Sequence, residues 1–149
     1  MLTACENSQQ VATRPASVST PTMEAEIQPA ALAGNYCFYA DVNKDITEVN
    51  LNITGNQVTG TMNWIPLEKD SAVGRLLGNV NAAGELDLVY YYMIEGNAQT
   101  ETKVMKIENK QLMIKHGELL DPKNVGDLVY KDATTATYNQ TLLKVDCKK

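Results

Sequence analysis

The sequence has little of what most enzyme sites are built from. In 149 residues there is one histidine, one tryptophan and one phenylalanine. A lone histidine, His116, cannot supply a His-based metal site by itself. No Gly-x-Ser-x-Gly elbow occurs, and no glycine-rich, phosphate-cradling loop follows a strand-like segment. No apolar run approaches the roughly 18 residues that a membrane-crossing helix needs. Positive charge is also short, with 13 Lys and Arg against 18 Asp and Glu for a net charge of −5. Without a basic stripe, nucleic acid is not expected as a partner. No cofactor motif and no enzyme constellation is present, so the expectation is a protein that is not an enzyme and carries no catalytic or metal residues.

Glycine is missing from residues 1–33, and all nine glycines lie at or after Gly34. Three of the five prolines (Pro15, Pro21 and Pro29) fall in that first stretch, among Ser, Thr, Gln and Ala without apolar periodicity. Such a composition cannot bury a core and reads as a disordered linker. As a flexible coil of about 28 residues it would span roughly 30 Å. The remaining 116 residues, 34–149, are enough for one self-sufficient domain.

Within that domain the turn signals recur every 12 to 14 residues or so: Asn43-Lys44-Asp45, Gly55-Asn56, Glu68-Lys69-Asp70, Ala83-Gly84, Gly96-Asn97 and Asn109-Lys110. The gaps suit strands and are too short for helical crossovers. Side chains alternate accordingly. Val49, Leu51 and Ile53 share one face, opposite Glu48, Asn50 and Asn52. Leu86, Leu88, Tyr90, Tyr92 and Ile94 form the clearest apolar row. Gly60, Gly74 and Gly78 lie inside strand-like segments and suggest bulges or tight bends that curl a sheet. After Gly117 the rhythm weakens, with a short strand expected at 128–130 and a last one at 141–147. The fold class is therefore all-β: an antiparallel meander of eight or nine strands closing into a small barrel, preceded by a disordered N-terminal tether.

The three cysteines stand at positions 5, 37 and 147. Closure of the meander makes the first and last strands neighbours, so a disulfide between Cys37 and Cys147 is expected to staple the seam. The loop it closes is about 110 residues long, worth roughly 4–5 kcal/mol in the chain-entropy model.

The candidates for chemistry are few. Glu68 with Asp70 and Glu85 with Asp87 are acidic pairs of the kind that can cleave a glycosidic bond, but acidic residues beside turns are usually solvated. Asp41, Asn43 and Asp45 supply three oxygen ligands at calcium-loop spacing, yet Ile46 stands where the loop glycine belongs, and turn capping explains the cluster as well. The aromatic residues are the remaining feature. Tyr90, Tyr92, Trp64 and Met62 fall on faces assigned inward and are the expected lining of a ligand pocket, with core packing as the plain alternative.

Two stretches carry a resemblance. Leu2-Thr3-Ala4-Cys5 resembles a lipobox, the motif that ends a bacterial lipoprotein signal peptide. The basic and apolar regions of a full signal are missing, so residues 1–4 read as a remnant. Tyr36-Cys37, Val58-x-Gly60, Glu68-Lys69-Asp70, Gly74 with Gly78, the Tyr-rich strand ending Glu95-Gly96, and Asp146-Cys147 together resemble small bacterial lipoproteins of unknown function. The resemblance covers roughly 110 residues with loose motifs. It implies a lipocalin-like barrel, a lipid anchor on Cys5, a disordered linker over 5–33, and a place in the cell envelope. Glu6, rather than aspartate, after the cysteine points by analogy to the outer membrane, facing the periplasm. The partners expected are the membrane and either a small apolar ligand or another envelope protein. In the second case the barrel would be an interaction module, for instance an inhibitor of a hydrolase that attacks the envelope. Oligomeric state is left open.

Overall fold

A computed structural model of the chain describes residues 32–148. The lipidation site expected at Cys5, the remnant at 1–4 and nearly all of the 5–33 linker lie outside the described residues. The described chain is all-β. Its strands are β1 (Gly34–Val42), β2 (Asp45–Thr54), β3 (Gln57–Ile65), β4 (Ala72–Val80), β5 (Leu86–Ile94), β6 (Asn97–Glu108), β7 (Gln111–His116), β8 (Leu119–Leu120), β9 (Asp127–Tyr130) and β10 (Thr137–Val145), with a 3-10 turn at Ala133–Thr135 before the last.

Local chemistry sets the hairpins. Asn43-Lys44, Glu95-Gly96 and Asn109-Lys110 each place both central residues at positive φ. That is the turn whose twist matches paired strands. Gly55, at φ 61°, opens the two-residue turn between β2 and β3. The β5–β6 turn sits one residue earlier than its Gly-Asn signal suggests, because Asn97 is already the first residue of β6. These tight turns fix the registers, and register fixes which side chains point inward.

β1 to β6 form a continuous antiparallel meander, β7 pairs with the end of β6, β10 pairs with β7, and β1 pairs with β10. Eight strands thus close a barrel. The β6–β7 ladder covers only Met105 to Glu108 on β6. Beyond it the two strands separate, and β9 runs parallel to β6 at Thr100 and Glu101, with β8 paired to its outer side. The alternation read from the sequence matches the burial: Val49, Leu51, Ile53, Leu86, Leu88, Tyr90 and Tyr92 are buried, and their sequence neighbours are not.

Gly60, Gly74 and Gly78 are not bulges. Each lies in an unbroken ladder. A Cβ on Gly60 would sit 2.1 Å from the Asn50 carbonyl oxygen, and one on Gly74 or Gly78 would sit 2.0 Å from the carbonyl oxygen of Tyr91 or Asp87. Strands approach this closely where the barrel wall curls, and only hydrogen fits there. The described ladders shift register in β10, between Tyr138 and Gln140.

The two ends differ. One end carries Gly34, the 55–56 and 109–110 turns and the 81–85 loop. Its interior is filled by Ile53, Val58, Leu86, Met105, Leu112 and Leu142, with Leu32 packed against them. Cys37 and Cys147 are joined here, with Cα atoms 5.2 Å apart, beside the Cys37–Val145 pair of the β1–β10 seam. The other end carries the 43–44, 66–71 and 95–96 turns and the 117–136 excursion. It is the open end, called the mouth below.

Candidate functional site

Inward positions near the mouth are no longer uniformly apolar. Along β6, Met105 is followed toward the mouth by Lys103, Glu101 and Gln99 on the same face. The β5–β6 register places Glu101 opposite Tyr90, Gln99 opposite Tyr92 and Lys103 opposite Leu88. These polar groups therefore enter the barrel directly above its apolar filling.

Lys103 and Glu101 form an ion pair at 2.6 Å, with side chains only 8% and 16% exposed. Moving both charges out of water costs several kcal/mol per ion, which their attraction offsets only when other bonds complete the geometry. The Tyr92 hydroxyl stands beside the pair with a single proton to share, 2.9 Å from Gln99 Oε1 and 3.3 Å from Glu101 Oε2. Burial, reinforced by the Glu101 carboxylate, pushes the Tyr92 phenol up to about 12, so it stays a donor at neutral pH. Tyr90 is also raised, first by burial and then by Tyr92 and Glu101. Its hydroxyl donates to the Met62 carbonyl at 2.8 Å, and its ring stacks on that of Tyr92 at 4.5 Å. Across the mouth, His116 Nε2 lies 2.7 Å from Gln140 Oε1, and Gln140 Nε2 donates to Thr47 Oγ1 at 3.3 Å. Gln140 shares the inward face of Leu142, two residues further along the regular part of the β10–β7 ladder.

Between the two polar walls is a cavity of about 200 Å³. Met62, Trp64, Tyr90 and Tyr92, the four residues expected to line a pocket, all border it, together with Ala72, Ile94, Glu101 and Lys103. Thr47, Trp64 and Gln140 also border an outer groove of about 410 Å³, so the cavity adjoins the surface through that groove. Trp64 is only half-buried, while Met62, Tyr90 and Tyr92 are buried.

The charged pair is what sequence reasoning missed. Gln99 to Lys103 reads Gln-Thr-Glu-Thr-Lys, polar on both faces, so alternation gives no inward face. The signal was the register: the Glu95-Gly96 turn and the apolar row of β5 together dictate that Glu101 and Lys103 point inside. His116, the lone histidine, borders the cavity as well.

The other candidates are elsewhere. Glu85 lies at the outer wall, where it accepts from the Tyr138 hydroxyl and pairs with Lys115 at 3.1 Å. Those two bonds hold its carboxyl below the usual range. Asp87 accepts from Asn81 Nδ2 at 3.1 Å, while Glu68 and Asp70 are exposed in the β3–β4 loop. Asp41 accepts the backbone amide of Lys44 at 2.9 Å, the turn-capping role, while Asp45 accepts that of Leu67 at 3.1 Å and ties the β3–β4 loop to the start of β2. Among the described residues no group of three or more His, Cys, Asp or Glu is placed to hold a metal ion.

A second surface feature lies on the outside of β4 and β5. Val73, Tyr91, Met93 and Val125 are exposed around a groove of about 750 Å³ that also includes Arg75.

No protein-family model, no curated protein and no solved structure matches the chain, so the reading of its site rests on the site's own chemistry.

Proposed function

We propose that this protein is a non-enzymatic binding module of the bacterial cell envelope whose barrel mouth receives one small molecule. In this reading Cys5 carries the lipid anchor, the 5–33 linker spaces the barrel from the outer membrane on its periplasmic side, and the domain is related to lipocalin-like lipoproteins. The observation that carries it is the Glu101–Lys103 pair beside an open cavity. A well-packed apolar pair would stabilise the barrel as well or better. Buried polar groups converging on a partly apolar cavity are the ordinary makings of a ligand site. The ligand is small, because the rest of the barrel is filled, and it is apolar in part, because Trp64, Met62 and Ile94 form one wall. Geometry adds a second support. The chain enters the barrel at Gly34, at the filled end, so an upstream tether joins the barrel away from its mouth.

Native mass spectrometry of the protein purified from its host tests this. The expected species carries an acyl mass on Cys5, one disulfide and a one-to-one small-molecule adduct. Trp64 is the sole tryptophan, so its emission reports the mouth. Removal of the adduct is expected to shift that emission, and host small-molecule extract to restore it. Adduct-free protein whose Trp64 emission ignores the extract would overturn the reading.

The outer groove favours a second reading, a protein-interaction module such as an inhibitor of an envelope-attacking hydrolase. Tyr91 and Arg75 are the residue types that anchor interfaces. Tyr91→Ala together with Arg75→Ala would then abolish capture of a specific periplasmic partner and leave the Trp64 response intact.

A further inference from the structure

We infer that the mouth selects a compact, overall neutral molecule with adjacent positive and negative groups and an apolar body, the chemistry of a zwitterionic apolar amino acid. The inference rests on the binding reading above and specifies its ligand.

The charges of the site are adjacent and balanced. Lys103 Nζ and Glu101 Oε1 are 2.6 Å apart on one wall of the cavity. An ammonium has three donors. Among the described residues Glu101 takes one, leaving Lys103 two donors toward the cavity. Glu101 accepts from Lys103 on Oε1 and lies near the Tyr92 hydroxyl on Oε2, and a carboxylate has acceptor sites beyond these. The wall therefore offers a donor cluster and an acceptor cluster side by side.

A ligand with a single net charge would form one new bond and leave one uncompensated charge in a partly desolvated site, which is costly. A zwitterion laid head-to-tail against the pair avoids this. Its carboxylate meets Lys103, its ammonium meets Glu101, and four charges alternate in sign with no net charge buried. The apolar body then rests on Trp64, Met62 and Ile94. At about 200 Å³ the cavity is smaller than those that hold drug-sized ligands. His116 and Gln140 on the far wall are already bonded to each other.

The test follows Trp64 emission, with calorimetry in parallel, as the full chain is titrated with leucine, with its decarboxylated analogue 3-methylbutylamine and with its deaminated analogue 4-methylpentanoate. Phenylalanine and its corresponding amine and acid form a second series. Leucine or phenylalanine is expected to bind, with the matching amine and acid each weaker by about tenfold or more. Lys103→Met is expected to abolish that preference, and circular dichroism establishes whether the variant is folded. The wild-type series decides the matter even if the variant fails. An amine or acid that binds as tightly as its amino acid overturns the inference. So does silence from both amino acids while host extract still moves Trp64, an outcome that leaves the binding reading standing. Silence from every titrant, extract included, removes both.

Discussion

The filled end and the mouth are built from the same alternation and put it to opposite use. At the filled end the inward residues are aliphatic or the aromatic Tyr36 and Phe38, and Leu86, Leu112, Ile114 and Leu142 are wholly buried. At the mouth the same inward rows of β6, β7 and β10 carry Glu101, Lys103, His116 and Gln140. The difference teaches that the barrel's stability and its candidate chemistry are separated along its axis. Burial at one end stabilises the fold by roughly 25 cal/mol per Å² of apolar surface. Desolvated charge at the other end works against it. The disulfide lies with the stable half.

That division can be broken experimentally, and the largest effect is expected at the staple. Reduction of Cys37–Cys147, or the double Ser variant, frees a loop of 110 residues in the unfolded chain and is expected to lower unfolding stability by about 4 kcal/mol. Denaturant titration with and without reductant measures it. Trp64 emission in the still-folded protein is expected to stay unchanged, since the mouth is at the far end. A mouth that reorganises on reduction would show that the two halves are coupled.

Truncations sharpen the contrast. Leu112→Ala at the filled end is expected to cost about 3 kcal/mol, within the range for wholly buried leucines. Ile94→Ala at the mouth removes a half-buried chain that already borders a cavity and is expected to cost about 1 kcal/mol. Equal losses in chemical denaturation would contradict the axial division.

The charged pair tests the other half. Lys103→Met leaves Glu101 desolvated with Tyr92 alone beside it and is expected to cost about 2 kcal/mol, below the figure for a fully enclosed pair because the cavity admits solvent. Adding Glu101→Leu removes the orphaned charge and is expected to recover most of that loss. If the double variant is no more stable than Lys103→Met, the pair is not under a desolvation penalty, and its value as a functional marker falls.

Much of this was legible beforehand because period-two alternation and turn chemistry are local signals. Val49 to Ile53 and Leu86 to Ile94 declare an inward face, and Gly55 and Gly96 mark hairpins, so the closed barrel and the Cys37–Cys147 seam follow. Met62, Trp64, Tyr90 and Tyr92 were placed together by the same parity. What was not legible is non-local. Glu101 and Lys103 lie in a strand that is polar on both faces, and only pairing with β5 assigns them inward. β9 was visible as a short strand, but its parallel docking on β6 depends on β7 peeling away after Met105, which no spacing encodes. Tyr138 shares the parity of Gln140 yet reaches Glu85 at the outer wall, because β10 shifts register between them.

The smallest expected effect concerns that docked strand. Asp121 accepts from the amides of Val125 at 3.0 Å and Gly126 at 2.7 Å. Those bonds, Gly126 first, hold its carboxyl below the usual aspartate range. They also set the loop whose next residues place the Gly126 carbonyl 2.8 Å from the Thr100 amide, and the Asp127 side chain on the Thr100 hydroxyl. A carboxyl lowered in the folded state contributes stability that is fully present above its unfolded value and is lost as pH falls through the folded one. Asp121 is only partly buried and bonds within its own loop, so the contribution is local. Acidification is therefore expected to release β9 from β6 before the barrel unfolds. The amides of Val125, Gly126 and Thr100 should exchange faster below the usual aspartate range, while those of Leu86 and Leu112 stay protected. Asp121→Ala should bring the same fast exchange at neutral pH. Uniform loss of protection at both ends would mean that β9 belongs to the stable half of the barrel rather than to the mouth.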